Sequence, residues 1–436
     1  MIRYHAFQAL QFLKSHISLT KAHSYFMGSA AIVQLIPLIT APIIARLYSP
    51  ADFGAYAIFV GLVAIVSTVA QLALHESILL ESDDSNAAVA HLLSVLISVM
   101  TAITVQAVVV WMPETVVNHY FGPGIVDLLP WLPASIFISG LYGCFYTWWI
   151  RQGLYLGLAR NKLILGISTA FIQIGIGAVG LDAIGFVWAN LLGMTLATLL
   201  LVNVVLKDMN SIDHKFSLLR AWNSFVKHKK LVVFTMPAGL VNSVAAYLPS
   251  YFINFFFGVS ALGQYSLATR MVDMPLSFLS VSVQDIFRQE ASQEFNKKGV
   301  CEASFNKFFL LMLFAAVFLV VPLVLILPYI FPIFFGDQWL EAGFIIQPMI
   351  LLIAIRFISS PLSYVWIIRG YQGLDLLWQL GLLFCTLCSF LIPTYFAEDV
   401  SLETVLWTYS ASCALWYSFC ILQSRRFSLK AKNVQL

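Results

Sequence analysis

The chain has 436 residues, 60% of them hydrophobic and only 10% charged, with a formal net charge of +3 and a mean hydropathy of +0.87. So few charges leave too little polar surface to solvate a globule of this size, which excludes an ordinary soluble protein and makes lipid the expected solvent for most of the chain. No nucleic-acid partner is expected of such a composition.

The first 23 residues place Ile2, Ala6, Ala9, Leu10, Leu13 and Ile17 on one helical face opposite Lys14, the pattern of a short amphipathic helix on the inner membrane surface. The apolar run that follows is too long for a cleavable signal core and carries Gln34, Pro37 and Pro42, so it reads as a first spanning helix. Runs of about 20 mostly apolar residues then recur, each able at ~1.5 Å per residue to cross a hydrocarbon core of ~30 Å. They are predicted over 24–45, 53–74, 87–111, 127–149, 163–181, 184–206, 231–257, 264–283, 308–331, 344–366, 375–396 and 404–422. Without water in the bilayer each span must satisfy its own backbone, so helices are expected, and the short alternating strands of a barrel are not seen. The predicted fold is an all-α polytopic membrane protein of about twelve transmembrane helices.

Lysine and arginine resist translocation when they lie in short loops. With the N-terminus inside, every one of the 24 Lys and Arg except Arg46, Arg270 and Arg356 falls in a cytoplasmic segment. The opposite turns are acidic, with Asp52, Glu114, Asp182, Asp337, Glu341, Glu398, Asp399 and Glu403. Both termini are therefore expected in the cytoplasm. The loop "KDMNSIDHKFSLLRAWNSFVKHKK" over 207–230 is basic and central, and reads as a connector between an N-terminal lobe over 1–206 and a C-terminal lobe over 231–436.

Faint collinear matches link the two halves. "FGAY" at 53–56 resembles "LGQY" at 262–265, "YFG" at 120–122 resembles "FFG" at 334–336, and "YTWWIR" at 146–151 resembles "YVWIIR" at 364–369. An internal repeat of six helices predicts two lobes around a central cavity.

Arginine near a bilayer centre costs ~2.5–3.5 kcal/mol on insertion scales, so Arg270 and Arg356 are expected to face a polar cavity or a partner. Asp273 stands three residues after Arg270 on the same helical face, and an ion pair between them is one reading. An anionic ligand is the other, because a planar guanidinium can grip phosphate oxygens in two places. Arg356 has no acid within four residues, which favours the ligand. Arg46 reads as a head-group anchor or a third cation for that ligand. Asp273 and Asp127 are the candidates for carrying a coupling proton or sodium ion. Gln34, Asn242, Tyr247, Tyr251 and Asn254 are candidates for a hydrated lining, or for hydrogen bonds between helices. Cys385 and Cys388 form a C-x-x-C inside an apolar helix, and no His, Cys or acid spacing suits a metal, so no metal or other cofactor is expected.

Three stretches carry a resemblance: "MGSAAIVQLIPLITAPIIARLYSPADFGAYAIF", "PAGLVNSVAAYLPSYFINFFFGVSALGQYSLATRMVDMPLSFLSVSVQDIF" and "FFGDQWLEAG". In order and spacing the chain resembles the polysaccharide-transport branch of the multidrug/oligosaccharidyl-lipid/polysaccharide (MOP) exporter superfamily, the O-antigen and exopolysaccharide repeat-unit flippases of bacterial inner membranes. The resemblance implies a partly cationic cavity, and transport of an undecaprenyl-pyrophosphate-linked oligosaccharide from the inner to the outer leaflet by alternating access. It also implies a bacterial cytoplasmic membrane location, coupling to H+ or Na+, and a polysaccharide polymerase as partner. Lipid II flippases of the superfamily share Ala268, Arg270 and Pro275, but carry an acid where this chain has Thr269, an arginine-rich first helix and two further helices. The loop "HESILLESDDSN" after the second helix lacks the basic residues expected of a cationic N-terminal lobe. A multidrug exporter of the same superfamily is the other transport reading, disfavoured by two arginines. A polytopic polymerase, ligase or acyltransferase would show a large outside loop or an intramembrane His with polar partners. Neither appears, so no enzyme is expected.

Overall fold

The computed structural model describes residues 35–211, 217–229, 231–396 and 400–429. The amphipathic segment expected over the first 23 residues, and Gln34, lie outside them. In chain order the principal helices are α1 (Leu35–Leu47), α2 (Pro50–Ala70), α3 (Asp84–Trp111), α4 (Leu132–Arg151), α5 (Tyr155–Ala178) and α6 (Ile184–Ser211). They continue with α7 (Met236–Phe257), α8 (Val259–Lys298), α9 (Glu302–Phe335), α10 (Ile350–Leu362), α11 (Gln372–Phe396) and α12 (Leu402–Leu429).

Among the described residues, nine helical segments are long and apolar enough to span a membrane. The three remaining predicted spans coincide with α1, of which only the second half is described, with α4 and with α8. The chain is an all-α, multi-pass membrane protein. At 40 residues α8 extends far past the predicted 264–283. At ~1.5 Å per residue it is about 60 Å long, twice the hydrocarbon core, and its second half carries the charges Asp285, Arg288, Glu290, Glu294, Lys297 and Lys298. There the Glu294 carboxylate caps the start of α9, accepting from Ser304 N at 2.8 Å and Ser304 Oγ at 2.6 Å. Five-residue π-helical turns at 231–235 and 316–320 lie just before Pro237 and Pro322, whose rings and missing N–H groups break the regular ladder.

Two compact units are present. The first takes residues up to Ile44, Val63–Met112 and Leu128–Pro237; the second takes Ala45–Leu62, Pro113–Asp127 and Ala238–Leu436. In the first unit, α3, α4 and α6 enclose Ile78, Ala87, Ala88, Ala90, Trp148, Val205 and Met209. Small residues let these helices approach closely: a Cβ on Gly140 would fall 2.5 Å from Ser98 Oγ. The buried Trp148 Nε1 donates to Asp208 Oδ2 at 3.1 Å and the half-buried Trp149 Nε1 to Leu201 O at 3.1 Å, so neither indole is left unsatisfied.

At one end of this unit the connection between α2 and α3 is clamped. Arg151 donates to Ile78 O at 2.8 Å, to Glu81 O at 2.5 Å and to Asp84 Oδ1 at 2.9 Å. The buried Glu81 carboxylate accepts from Lys227 Nζ at 2.5 Å and His228 Nε2 at 2.7 Å, which fastens the amphipathic helix Leu218–Lys227 to the start of α3. Burial raises the Glu81 carboxyl, but the hydrogen bonds and charges of Lys227 and His228 outweigh it and hold the group below its usual value of 4.5. Because the folded value is depressed, the resulting stability is complete above the unfolded value and is lost as pH falls through the folded one. Glu81→Gln is expected to lower the melting temperature at pH 7 by roughly 5 °C and to flatten the acid-induced fall below about pH 4. Thermal unfolding of the detergent-solubilised protein between pH 3 and pH 7 checks this, and equal melting temperatures at pH 7 would contradict it.

In the second unit the two copies of the first repeat motif pack against each other. A Cβ on Gly54 would meet Val259 O at 1.9 Å, and a Cβ on Gly263 would meet Pro50 O at 1.7 Å. Gly54 and Gly263 hold the same place in "FGAY" and "LGQY", and Pro50 and Val259 each stand four residues before them, so the contact is reciprocal. The second motif pair shares its backbone: Gly122 (φ 84, ψ 163) and Gly336 (φ 99, ψ 164) each end a helix and are followed by a 3₁₀ turn. In the third, Trp148 and Trp366 are both buried and both donate to a polar side chain, Asp208 Oδ2 and Ser424 Oγ. The stretch "FFGDQWLEAG" forms a clasp, in which Trp339 Nε1 and Gln338 Nε2 both donate to Ala45 O at 2.7 Å. Gln264 completes it, donating to Gln338 O at 2.6 Å and accepting from Ala342 N at 3.0 Å.

Candidate functional site

A cavity of about 690 Å³ lies within the second unit, lined by side chains from α2, α7, α8, α10, α11 and α12. Helical spacing explains which residues reach it. Ser266, Thr269, Arg270 and Asp273 recur at i, i+3, i+4 and i+7 on one face of α8, and Asn242, Ala245, Ala246 and Pro249 do the same on α7. From α12, Tyr409, Cys413 and Tyr417 repeat every four residues, and α10 supplies Leu352, Ile353 and Arg356.

Asp273 does not pair with Arg270 as the i+3 spacing suggested. Its ion pair and hydrogen bond are with Arg356, 83 residues further along the chain. Both side chains keep substantial exposure, 41% for Arg356 and 45% for Asp273, although both helices are inside the unit, because they face the cavity. Arg270 forms no ion pair among the described residues. Its counter-charge has been taken by a neighbouring helix. Two arginines and one aspartate among the lining leave an excess of one positive charge.

Of the other candidates, Asn242 and Tyr247 line the cavity. Tyr251 turns to the backbone, donating to Ile58 O at 3.4 Å, and Asn254 is buried with its amide donating to Phe121 O at 3.0 Å; neither is among the lining residues. Arg46 is exposed at the end of α1, donating to Ile333 O at 3.3 Å, and Asp127 is exposed in a turn before α4, so both lie outside the lining. Sequence reasoning missed Tyr56, Tyr265, Tyr409 and Tyr417, which give the cavity a phenolic wall. A signal for the first two was present, since they are the equivalent tyrosines of "FGAY" and "LGQY". Among the described residues no group of three or more His, Cys, Asp or Glu is placed to hold a metal ion. The six cysteines are free.

The fold is shared with solved membrane transporters. It matches the inward-facing conformation of a multidrug resistance MATE family transporter of the MOP superfamily with a TM-score of 0.70 and 13% identity, over 91% of this chain and 98% of the other. It matches the lipid II flippase MurJ in an inward closed conformation with a TM-score of 0.70 and 14% identity, over 93% of this chain and 90% of that one. At such identities the likeness is one of fold. The chain belongs to the polysaccharide biosynthesis protein family, which matches it over residues 43–343. It is also similar to the teichuronic acid biosynthesis protein TuaB of Bacillus subtilis (strain 168), 26% identical over 178 residues. That match takes in 41% of this chain and 36% of TuaB.

Proposed function

We propose that the protein is a flippase that moves an undecaprenyl-pyrophosphate-linked oligosaccharide, a repeat unit of O-antigen or another surface polysaccharide, from the inner to the outer leaflet of the bacterial cytoplasmic membrane by alternating access. The observation that carries this reading is Arg270, a cavity arginine without an ion pair among the described residues, beside the paired Arg356 and Asp273. A cation in that position favours a ligand that brings its own negative charge, and a pyrophosphate does so with oxygens that match the guanidinium fork. The phenolic wall and Asn242 offer hydrogen bonds to sugar hydroxyls, while the prenyl chain stays in lipid. Membership of a polysaccharide biosynthesis family supports the substrate class, as does a relative named for teichuronic acid biosynthesis. An excess of positive charge in the cavity disfavours export of cationic drugs.

In this reading the phosphates compete with Asp273 for Arg356, and the freed carboxylate takes up a proton or sodium ion, which couples transport to an ion gradient. Lysine and arginine placement supports cytoplasmic termini, and a polysaccharide polymerase is the expected consumer of the flipped product. Deleting the gene in its host is expected to remove surface polysaccharide while the lipid-linked oligosaccharide pool is retained. Surface glycan and pool both unchanged, in a strain with no second flippase, would overturn the proposal.

A further inference from the structure

Beyond Arg356, the following turns of α10 face a second, smaller cavity in the same unit, with a volume of about 210 Å³. Ser359, Ser360 and Ser363 line it with Trp366, Trp378 and Tyr417. Arg356 and Tyr417 line both cavities, so the two are neighbours across one guanidinium and one phenol.

The chemistry of this wall is selective. It holds hydroxyls, which both donate and accept, and indole rings, which offer an apolar face and one N–H donor. Arg356 is its sole charged lining residue among those described. Some of these polar groups are already committed: Ser363 Oγ donates to Ser360 O at 2.9 Å, and Trp366 Nε1 donates to Ser424 Oγ at 2.7 Å. Trp378 is different. Its Nε1 is buried with no hydrogen-bond partner among the described residues, although the ring lines the cavity. A buried donor left unsatisfied costs ~1–3 kcal/mol, and a small rotation of the ring toward an occupant that brings an acceptor would recover it. A lipid chain brings none.

A pyranose meets each requirement, with hydroxyls around its edge and C–H faces that pack on indole. A hexose displaces about as much volume as six waters, ~180 Å³ at ~30 Å³ each, so the smaller cavity accommodates one sugar and not two. We infer that the smaller cavity is a subsite for the monosaccharide joined directly to the pyrophosphate, with Arg356 holding the phosphate where the two cavities meet. This rests on the proposed function in one respect, that the cavity arginines bind the anionic headgroup. Trp378 and Ser359 then act as specificity-determining residues.

The test is calorimetric titration of the purified full-length protein with farnesyl pyrophosphate and with farnesyl pyrophosphates carrying one glucose, galactose or N-acetylglucosamine. At least one glycosylated probe is expected to bind about tenfold more tightly than the bare pyrophosphate, of the order of one or two well-formed hydrogen bonds. Trp378→Phe keeps the ring and removes the N–H, and Ser359→Ala removes a hydroxyl; each is expected to reduce that advantage to about twofold without weakening farnesyl pyrophosphate. Variants that elute as monodisperse as the wild type are compared. If glycosylated and bare probes bind alike, or if both variants weaken them equally, the sugar subsite is wrong and the headgroup site stands. If no probe binds the wild type, or Arg270→Ala and Arg356→Ala bind the bare pyrophosphate unimpaired, the headgroup reading fails and takes the subsite with it.

Discussion

Arg270→Ala is expected to abolish complementation of surface polysaccharide in a deletion strain while leaving the amount of protein in the membrane unchanged or slightly raised. The two halves of this result have separate causes. Arg270 belongs to no ion pair among the described residues, so its removal strands no partner and relieves an insertion cost of ~2.5–3.5 kcal/mol. Charge-assisted hydrogen bonds contribute ~1.5–3 kcal/mol each, so losing a two-pronged contact to phosphate weakens binding by roughly a hundredfold or more. Arg270→Lys keeps the charge without the planar fork and is expected to fall between. Arg356→Ala differs in kind, because it leaves Asp273 without its counter-ion as well as removing a cation from the cavity. Quantitative glycan blots beside membrane immunoblots separate these cases, and full complementation by Arg270→Ala would remove the basis of the anion site.

Gly263→Ala is expected to cost most of the folded protein. The added Cβ would lie 1.7 Å from Pro50 O, 2.6 Å from Pro50 C and 3.1 Å from Gly54 N, all of them backbone atoms that no rotamer change can move aside. The start of α2 and the start of α8 must therefore separate by more than 1 Å, which opens a gap along a crossing that close packing holds together. Gly54→Ala meets Val259 O at 1.9 Å and is expected to behave alike, as the reciprocal contact requires. Gly175→Ala, with nothing within 4 Å of the new Cβ, is the control and is expected to be neutral or mildly stabilising. Yield and monodispersity after detergent extraction read the effect, and normal behaviour of Gly263→Ala would contradict the close approach.

Spanning helices were legible because apolar length is a direct consequence of bilayer thickness, and each predicted span falls mainly on helix where it is described, with turns at 71–73, 127–128, 179–180, 346 and 363–364. The composition of α8 hid its length, since charged residues beyond the bilayer read as loop to a method that follows apolar runs. Side-chain placement was legible only where local periodicity decides it. The face of α8 bearing Arg270 and Asp273 follows from i, i+3 and i+4 spacing, and both residues do reach one cavity. The partner of Asp273 was not legible, because Arg356 arrives from a helix distant in sequence and wins over the i+3 neighbour by approach, which no spacing rule contains. Tyr251 and Asn254 show the same limit. Polar residues in a membrane helix satisfy a neighbouring backbone as readily as they line a cavity, and here the carbonyls of Ile58 and Phe121 claim them. The weak repeats carried more than their similarity suggested, since they marked the glycines Gly54 and Gly263 of the close crossing and the cavity tyrosines Tyr56 and Tyr265.

The most direct test of the central claim is the leaflet in which the lipid-linked oligosaccharide resides once the gene is deleted, read by an impermeant glycan-modifying enzyme added to right-side-out and to inverted membrane vesicles. The proposed function predicts a pool protected in right-side-out vesicles and modified in inverted ones, with protection lost on return of the wild-type gene and kept on return of Arg270→Ala. A pool equally accessible from outside with and without the gene would contradict it.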